Sequence, residues 1–128
     1  MPVLRDVDSR TMADLADTLA GYRMRALRAA FTEQQLTGAN FAVSWNHEPG
    51  VVLVQPVIPP GLACVLSVGG PLEQLWLGDD GRPRVGRVLH LGLAHDHRLV
   101  NGRQAILFLE ALGAILTRPD QIKKLAAT

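Results

Sequence analysis

The chain is predicted to be an α/β protein, a sandwich of mixed β-sheet with flanking helices. Three observations predict it. Helical periodicity marks both ends of the 128 residues. Between them the apolar period changes to two and gives way to short continuous apolar runs. Proline and glycine cut that middle stretch into strand-length pieces. Helix, several strands, helix is an order that fits packed layers around one core. The length suits a single domain over 1–128.

Residues 2–8 form a short lead-in. Thr11-Met12-Ala13-Asp14 fits a capping box, in which side chains take up unpaired backbone N–H groups at a helix start. Met12, Leu15, Leu19, Tyr22, Ala26, Ala29 and Ala30 then follow helical spacing. Asp14 and Asp17 come early, and Arg23, Arg25 and Arg28 late, which complements the helix dipole. Thr32-Glu33-Gln34-Gln35 is a second capping box, opening a short turn that Gly38 closes. Beyond it Phe41, Val43 and Trp45 share one strand face, and Ala42, Ser44 and Asn46 the other. Residues 51–57 and 62–68 are continuous apolar runs, as buried strands are. Pro56, Pro59 and Pro60 break the connection between them. Residues 72–77 make another strand, Asp79-Asp80-Gly81 a hairpin turn, and 85–94 the last strand. Residues 103–116 form the second long helix, with Ala105, Phe108, Leu109, Leu112 and Leu116 as its buried stripe. Arg118-Pro119 ends it, and 119–125 adds a short helical turn. There are no internal repeats or low-complexity segments.

Thirteen basic and twelve acidic residues leave a net charge of +1. That gives no electrostatic reason to expect nucleic acid or an anionic membrane as partner. The apolar fraction of 48% leaves surface to share with another subunit. Cys64 is the only cysteine, so no intrachain disulfide forms, and its apolar run makes it a small buried hydrophobe rather than a nucleophile. No segment reads as a signal peptide or a membrane span. A soluble cytoplasmic protein is expected.

The chemistry-bearing stretch is Asp96-His97-Arg98-Leu99-Val100-Asn101-Gly102. It places a histidine on a short loop between a strand and a helix, where rigid elements hold functional loops. Imidazole titrates near neutral pH and suits general-base work. The plainer alternative is a loop histidine that only packs or hydrogen-bonds. Asn101 directly precedes the helix and is a favoured N-cap. His90, His95 and His97 raise the question of a metal, but a tight site needs three or four convergent ligands, and none is expected.

This run resembles the D-H-R-x-x-D-G signature of the dihydrolipoamide acyltransferases of 2-oxo acid dehydrogenase complexes, relatives of chloramphenicol acetyltransferase. Asn101 stands where Asp is commoner. Phe41-Ala42-Val43-Ser44 is similar to the family's F-T-I-S strand, and Pro56-Val57-Ile58-Pro59-Pro60-Gly61-Leu62-Ala63-Cys64-Val65-Leu66-Ser67-Val68 to its P-I-x-x-P-x-x-A-I-L-G-V stretch. Pro2-Val3-Leu4-Arg5-Asp6 looks like the lead-in to the family's long helix. The resemblance covers nearly all of this chain but only about the C-terminal half of the family's catalytic domain. It therefore describes a truncated domain, without the N-terminal half, the lipoyl domain or the subunit-binding domain. The glycine-rich loop that usually follows the serine is replaced by Trp45-Asn46-His47-Glu48-Pro49-Gly50.

The resemblance implies a chloramphenicol acetyltransferase-like fold and thioester acyl transfer. His97 would deprotonate the thiol of coenzyme A, dihydrolipoamide or a carrier-protein pantetheine, and the thiolate would attack the acyl thioester directly. Ser44 would donate to the oxyanion across a subunit boundary of a trimer. Without the resemblance, Ser44 reads as a solvent-facing strand serine. Asn101 would stand at the site and cap the helix. Asp96, Arg98 and Gly102 would shape the loop. Trp45 and His47 would line the altered acyl pocket, though a solvated loop histidine is the plainer reading of His47. No tightly bound cofactor is implied, since lipoyl, pantetheine or coenzyme A thioesters are substrates. The partners implied are an acyl-carrying protein (a lipoyl domain or acyl carrier protein), further copies in a homotrimer or larger assembly, and a second chain supplying the N-terminal half. A competing reading is a non-catalytic assembly subunit of such a complex, or of a thiamine-enzyme complex.

Overall fold

The computed structural model describes residues 1–46, 48, 50–118, 120, 122 and 124. The chain divides into two compact units, Met1–Ala39 with Leu107–Thr128, and Asn40–Ile106.

The first unit holds α1 (Met12–Leu27) and α2 (Glu33–Leu36). The Thr11 hydroxyl caps α1, accepting from the Asp14 N–H at 3.1 Å and donating to the Asp14 carboxylate at 2.8 Å. The helix stops at Leu27, short of the Ala29 and Ala30 expected in its stripe. Ala29 turns left-handed at φ 49°, and the Ala30 N–H closes back onto the Arg25 carbonyl. The box on α2 forms as expected, with Gln35 as its reciprocal arm. Gly38 follows at φ 85°. The lead-in is tied down by polar contacts. Tyr22 donates to the Val3 carbonyl at 2.8 Å, and the Arg5 guanidinium donates to the Gln34 and Thr37 carbonyls at 2.9 Å each.

The second unit carries the sheets. A three-stranded sheet runs β1 (Phe41–Trp45), β2 (Cys64–Val68) and β5 (Leu91–His95), with β1 parallel and β5 antiparallel to β2. β3 (Leu72–Leu77) and β4 (Pro83–Val88) form a separate hairpin closed at Gly81, which has φ 71°. The sheet is mixed, as predicted, and β2 is buried along its whole length.

Three expectations are corrected. The run 85–94 is not one strand. It breaks after Val88, so that β4 completes the hairpin and β5 joins β2. Residues 51–57 form no strand. Val52, Leu53 and Val57 are exposed, and the segment crosses a sheet face instead of pairing at an edge, its Val54 carbonyl accepting from the buried Ser67 hydroxyl at 2.8 Å. Finally, the covered face of β1 is that of Ala42 and Ser44, while Phe41, Val43 and Trp45 are exposed. Register explains this. Ala42, Ser44, Val65, Ser67, Gly92 and Ala94 share one face, and small side chains let the crossing segment lie close. A Cβ at Gly92 would sit 2.7 Å from Ser67 Oγ.

α3 (Gly102–Leu116) extends from the second unit into the first. Its stripe is only partly covered: Ala105 is buried, Leu109 and Leu112 half-buried, and Phe108 and Leu116 exposed. The turn expected over 119–125 falls largely outside the described residues.

Candidate functional site

β5 ends at His95, and the loop that follows is locked twice. The Asp96 N–H still pairs with the Ala63 carbonyl at 2.8 Å, and the Asp96 carbonyl accepts from the Leu99 and Val100 N–H groups, both at 2.9 Å. The Asp96 carboxylate accepts from the Arg98 backbone at 3.0 Å and grips its guanidinium, with Nε at 3.0 Å and Nη2 at 2.6 Å. These hydrogen bonds to Arg98 lower the Asp96 carboxyl from the usual 3.8 to about 2. Arg98 is raised in turn by the same pairing. The backbone of His97 is thereby fixed while its ring stays exposed.

Asn101 closes the far end of the loop. Its side-chain oxygen accepts from the Gln104 N–H, and the Gln104 side chain accepts from the Asn101 N–H, both at 2.9 Å. This is a complete capping box. Asn101 was expected to cap α3; its reciprocal partner Gln104, in the N-x-x-Q pattern, was not singled out. Gly102 opens the helix with empty space where a Cβ would stand.

The His97 ring lies 5.6 Å from that of His95, tilted by 37°. His95 Nε2 is buried with no hydrogen-bond partner. His95 and His97 are among the residues lining an open cleft of about 540 Å³ walled by residues 58–62 and 95–98. Cys64 is a buried free thiol, and among the described residues no three His, Cys, Asp or Glu side chains converge as metal ligands.

Ser44 is half-buried and accepts at Oγ from Asn46 Nδ2, 3.2 Å away. Its own hydroxyl proton has no recorded acceptor among the described residues. Trp45 lies on the opposite, exposed face; His47 lies outside the described residues. Sequence reasoning placed Asn46 on the Ser44 face but gave it no role, although its two-residue spacing was the available signal.

Ser44 and His97 do not meet within one chain. Ser44 is in register with Ser67 and Gly92, and Phe41 with Cys64 and His95. Three residue rises and two strand spacings put Ser44 and His95 roughly 14 Å apart, and His97 lies with His95.

The family model for the 2-oxoacid dehydrogenases acyltransferase (catalytic domain) matches residues 1–123. The dihydrolipoyllysine-residue succinyltransferase component of the 2-oxoglutarate dehydrogenase complex of Escherichia coli K12 is 28% identical over 121 residues, which is 94% of this chain and 30% of that protein. The Rickettsia bellii counterpart is 26% identical over 122 residues, again 30% of its length. The chain thus spans about a third of the curated relatives it matches. Among solved structures, Azotobacter vinelandii dihydrolipoamide acetyltransferase superposes with TM-score 0.82 at 27% identity, over 90% of this chain and 47% of that one. The cubic core of the pyruvate dehydrogenase multienzyme complex does so with TM-score 0.82 at 28% identity, over the same shares. The mixed sheet and helices match the acyltransferase core of these neighbours, and the chain belongs to the 2-oxoacid dehydrogenase acyltransferase catalytic-domain family.

Proposed function

We propose that this chain moves an acyl group between thiols, with His97 as general base and Ser44 as oxyanion donor. The observation that carries this reading is the loop. Asp96, Arg98, Asn101 and Gln104 immobilise the backbone on both sides of an exposed imidazole at the mouth of a cleft. The Azotobacter structure comes from a study of a serine, a histidine and an asparagine in that enzyme's catalytic mechanism, with the asparagine four positions after the histidine. His97 and Asn101 have that spacing, and this supports a place for Asn101 at the site.

In the proposed step the acceptor thiol gives its proton to the His97 imidazole. The thiolate attacks the thioester carbonyl carbon, and the resulting oxyanion accepts a hydrogen bond from the Ser44 hydroxyl. Collapse breaks the bond to the donor sulfur, and the imidazolium returns its proton to the departing thiolate. The thiols are lipoyl, carrier-protein pantetheine or coenzyme A, brought to the cleft as substrates by an acyl-carrying partner. Because one chain holds Ser44 and His97 apart, the site takes its serine from another copy in a trimer or larger assembly.

The test is single-turnover acyl transfer by the assembled protein. His97→Ala is expected to lose about 10²-fold or more in rate; transfer at the wild-type rate overturns the mechanism. The separation of Ser44 from His97 also favours a second reading, a non-catalytic assembly subunit, for which His97→Ala changes no transfer rate.

A further inference from the structure

Ser44 is the fourth residue of β1 and directly precedes the stretch 45–50, where the sequence departs from its family resemblance. That stretch supplies Asn46. A serine hydroxyl has one proton and two lone pairs, and its rotor sets where the proton points. Asn46 Nδ2 donates to Ser44 Oγ at 3.2 Å and lies 3.4 Å from the Ser44 carbonyl oxygen. The amide thus fills one lone pair and cannot take the proton. With no recorded acceptor for that proton among the described residues, the hydroxyl is a donor held in reserve. Donation into Oγ also polarises the O–H bond and strengthens its own donation.

The amide is itself well fixed. The Asn46 N–H extends the β1–β2 pairing by one residue, donating to the Val68 carbonyl at 3.0 Å. The chain then folds back tightly over Gly69 and Gly70, where a Cβ at Gly70 would collide with the Glu48 carbonyl oxygen. Backbone geometry therefore places the Asn46 side chain before any substrate arrives. Preorganisation of this kind is what makes an oxyanion donor effective.

We infer that Asn46 is a positioning residue: its side-chain amide orients the Ser44 hydroxyl so that the proton faces the oxyanion. The inference rests on the functional reading above. It concerns a position at which the sequence analysis assigned only a strand face.

The experiment uses the assembled full-length protein, with acetyl-coenzyme A and succinyl-coenzyme A as donors and free dihydrolipoamide as acceptor. Asn46→Ala is expected to lower kcat about tenfold with KM unchanged, because the rotor is freed but the donor stays. Asn46→Asp is expected to lower kcat about a hundredfold, close to Ser44→Ala, because its carboxylate accepts the proton that Asn46 leaves free. The double variant Ser44→Ala with Asn46→Ala should be no slower than Ser44→Ala alone, since Asn46 acts only through the serine. Wild-type kcat in Asn46→Ala, or full additivity in the double variant, overturns the inference. A wild-type protein inactive with both donors, or Ser44→Ala at the wild-type rate, overturns the functional reading instead.

Discussion

If each site joins Ser44 of one copy to His97 of another, two inactive variants should restore each other. The perturbation is co-assembly of Ser44→Ala chains with His97→Ala chains. Within a chain the strand register separates Ser44 from His95 by roughly 14 Å. A reacting carbonyl must lie within about 3 Å of both the base-activated sulfur and the oxyanion donor, and within a chain Ser44 and His95 also lie on opposite faces of the sheet. Each variant alone should lose about 10²-fold or more. In randomly mixed symmetric assemblies about a quarter of the sites pair an intact serine with an intact histidine, so about a quarter of wild-type kcat should return. The assay is steady-state acyl transfer on co-expressed chains, with native mass measurement to establish that both variants share one assembly. Co-assembly with no recovery above the two variants alone would refute the shared site.

Three further outcomes follow from the hydrogen bonds and packing. Asn101→Ala should cost about 1 kcal/mol in urea unfolding through loss of the α3 cap, while Asn101→Asp should retain most of it, because Asp also accepts from the Gln104 N–H. The Asp96 carboxyl is held near 2 in the fold against a usual 3.8; a lowered value means the charged form favours the folded state. Its contribution is therefore complete above about pH 4 and lost as pH falls toward 2. The stability difference between wild type and Asp96→Asn should be flat above about pH 5 and shrink steadily as pH falls from there through about 2. Gly92→Ala drives a Cβ to 2.7 Å from Ser67 Oγ; it should cost about 1–3 kcal/mol and less in a Ser67→Ala background.

Much of this was legible in the sequence because the signals were local. The caps at Thr11, Thr32 and Asn101 depend on residues three apart, and each forms, although at Thr11 only the hydroxyl takes part and no reciprocal box closes. The bounds Leu72–Leu77 and the Asp79-Asp80-Gly81 turn also come from neighbouring residues. What failed depends on tertiary context. Nothing local tells a buried strand over 51–57 from an extended segment anchored at Val54, since the anchor is a serine thirteen residues away. Strand alternation likewise left Ser44 reading as a solvent-facing serine, whereas its face of β1 is the covered one. At the site, His97 and its loop were legible from the motif. The Asn46–Ser44 bond was not, because strand alternation gives a shared face but no side-chain rotamer.

The substituted letter in the motif illustrates how the loop divides its tasks. An Asp at 101 could supply both a cap and a negative charge. Here the charge that holds Arg98 comes from Asp96, two residues earlier, through three side-chain contacts and one to the Arg98 backbone N–H. The cap needs only an oxygen acceptor, which Asn101 provides to the Gln104 N–H, and Gln104 answers it. A neutral residue at 101 therefore removes neither constraint on the His97 backbone.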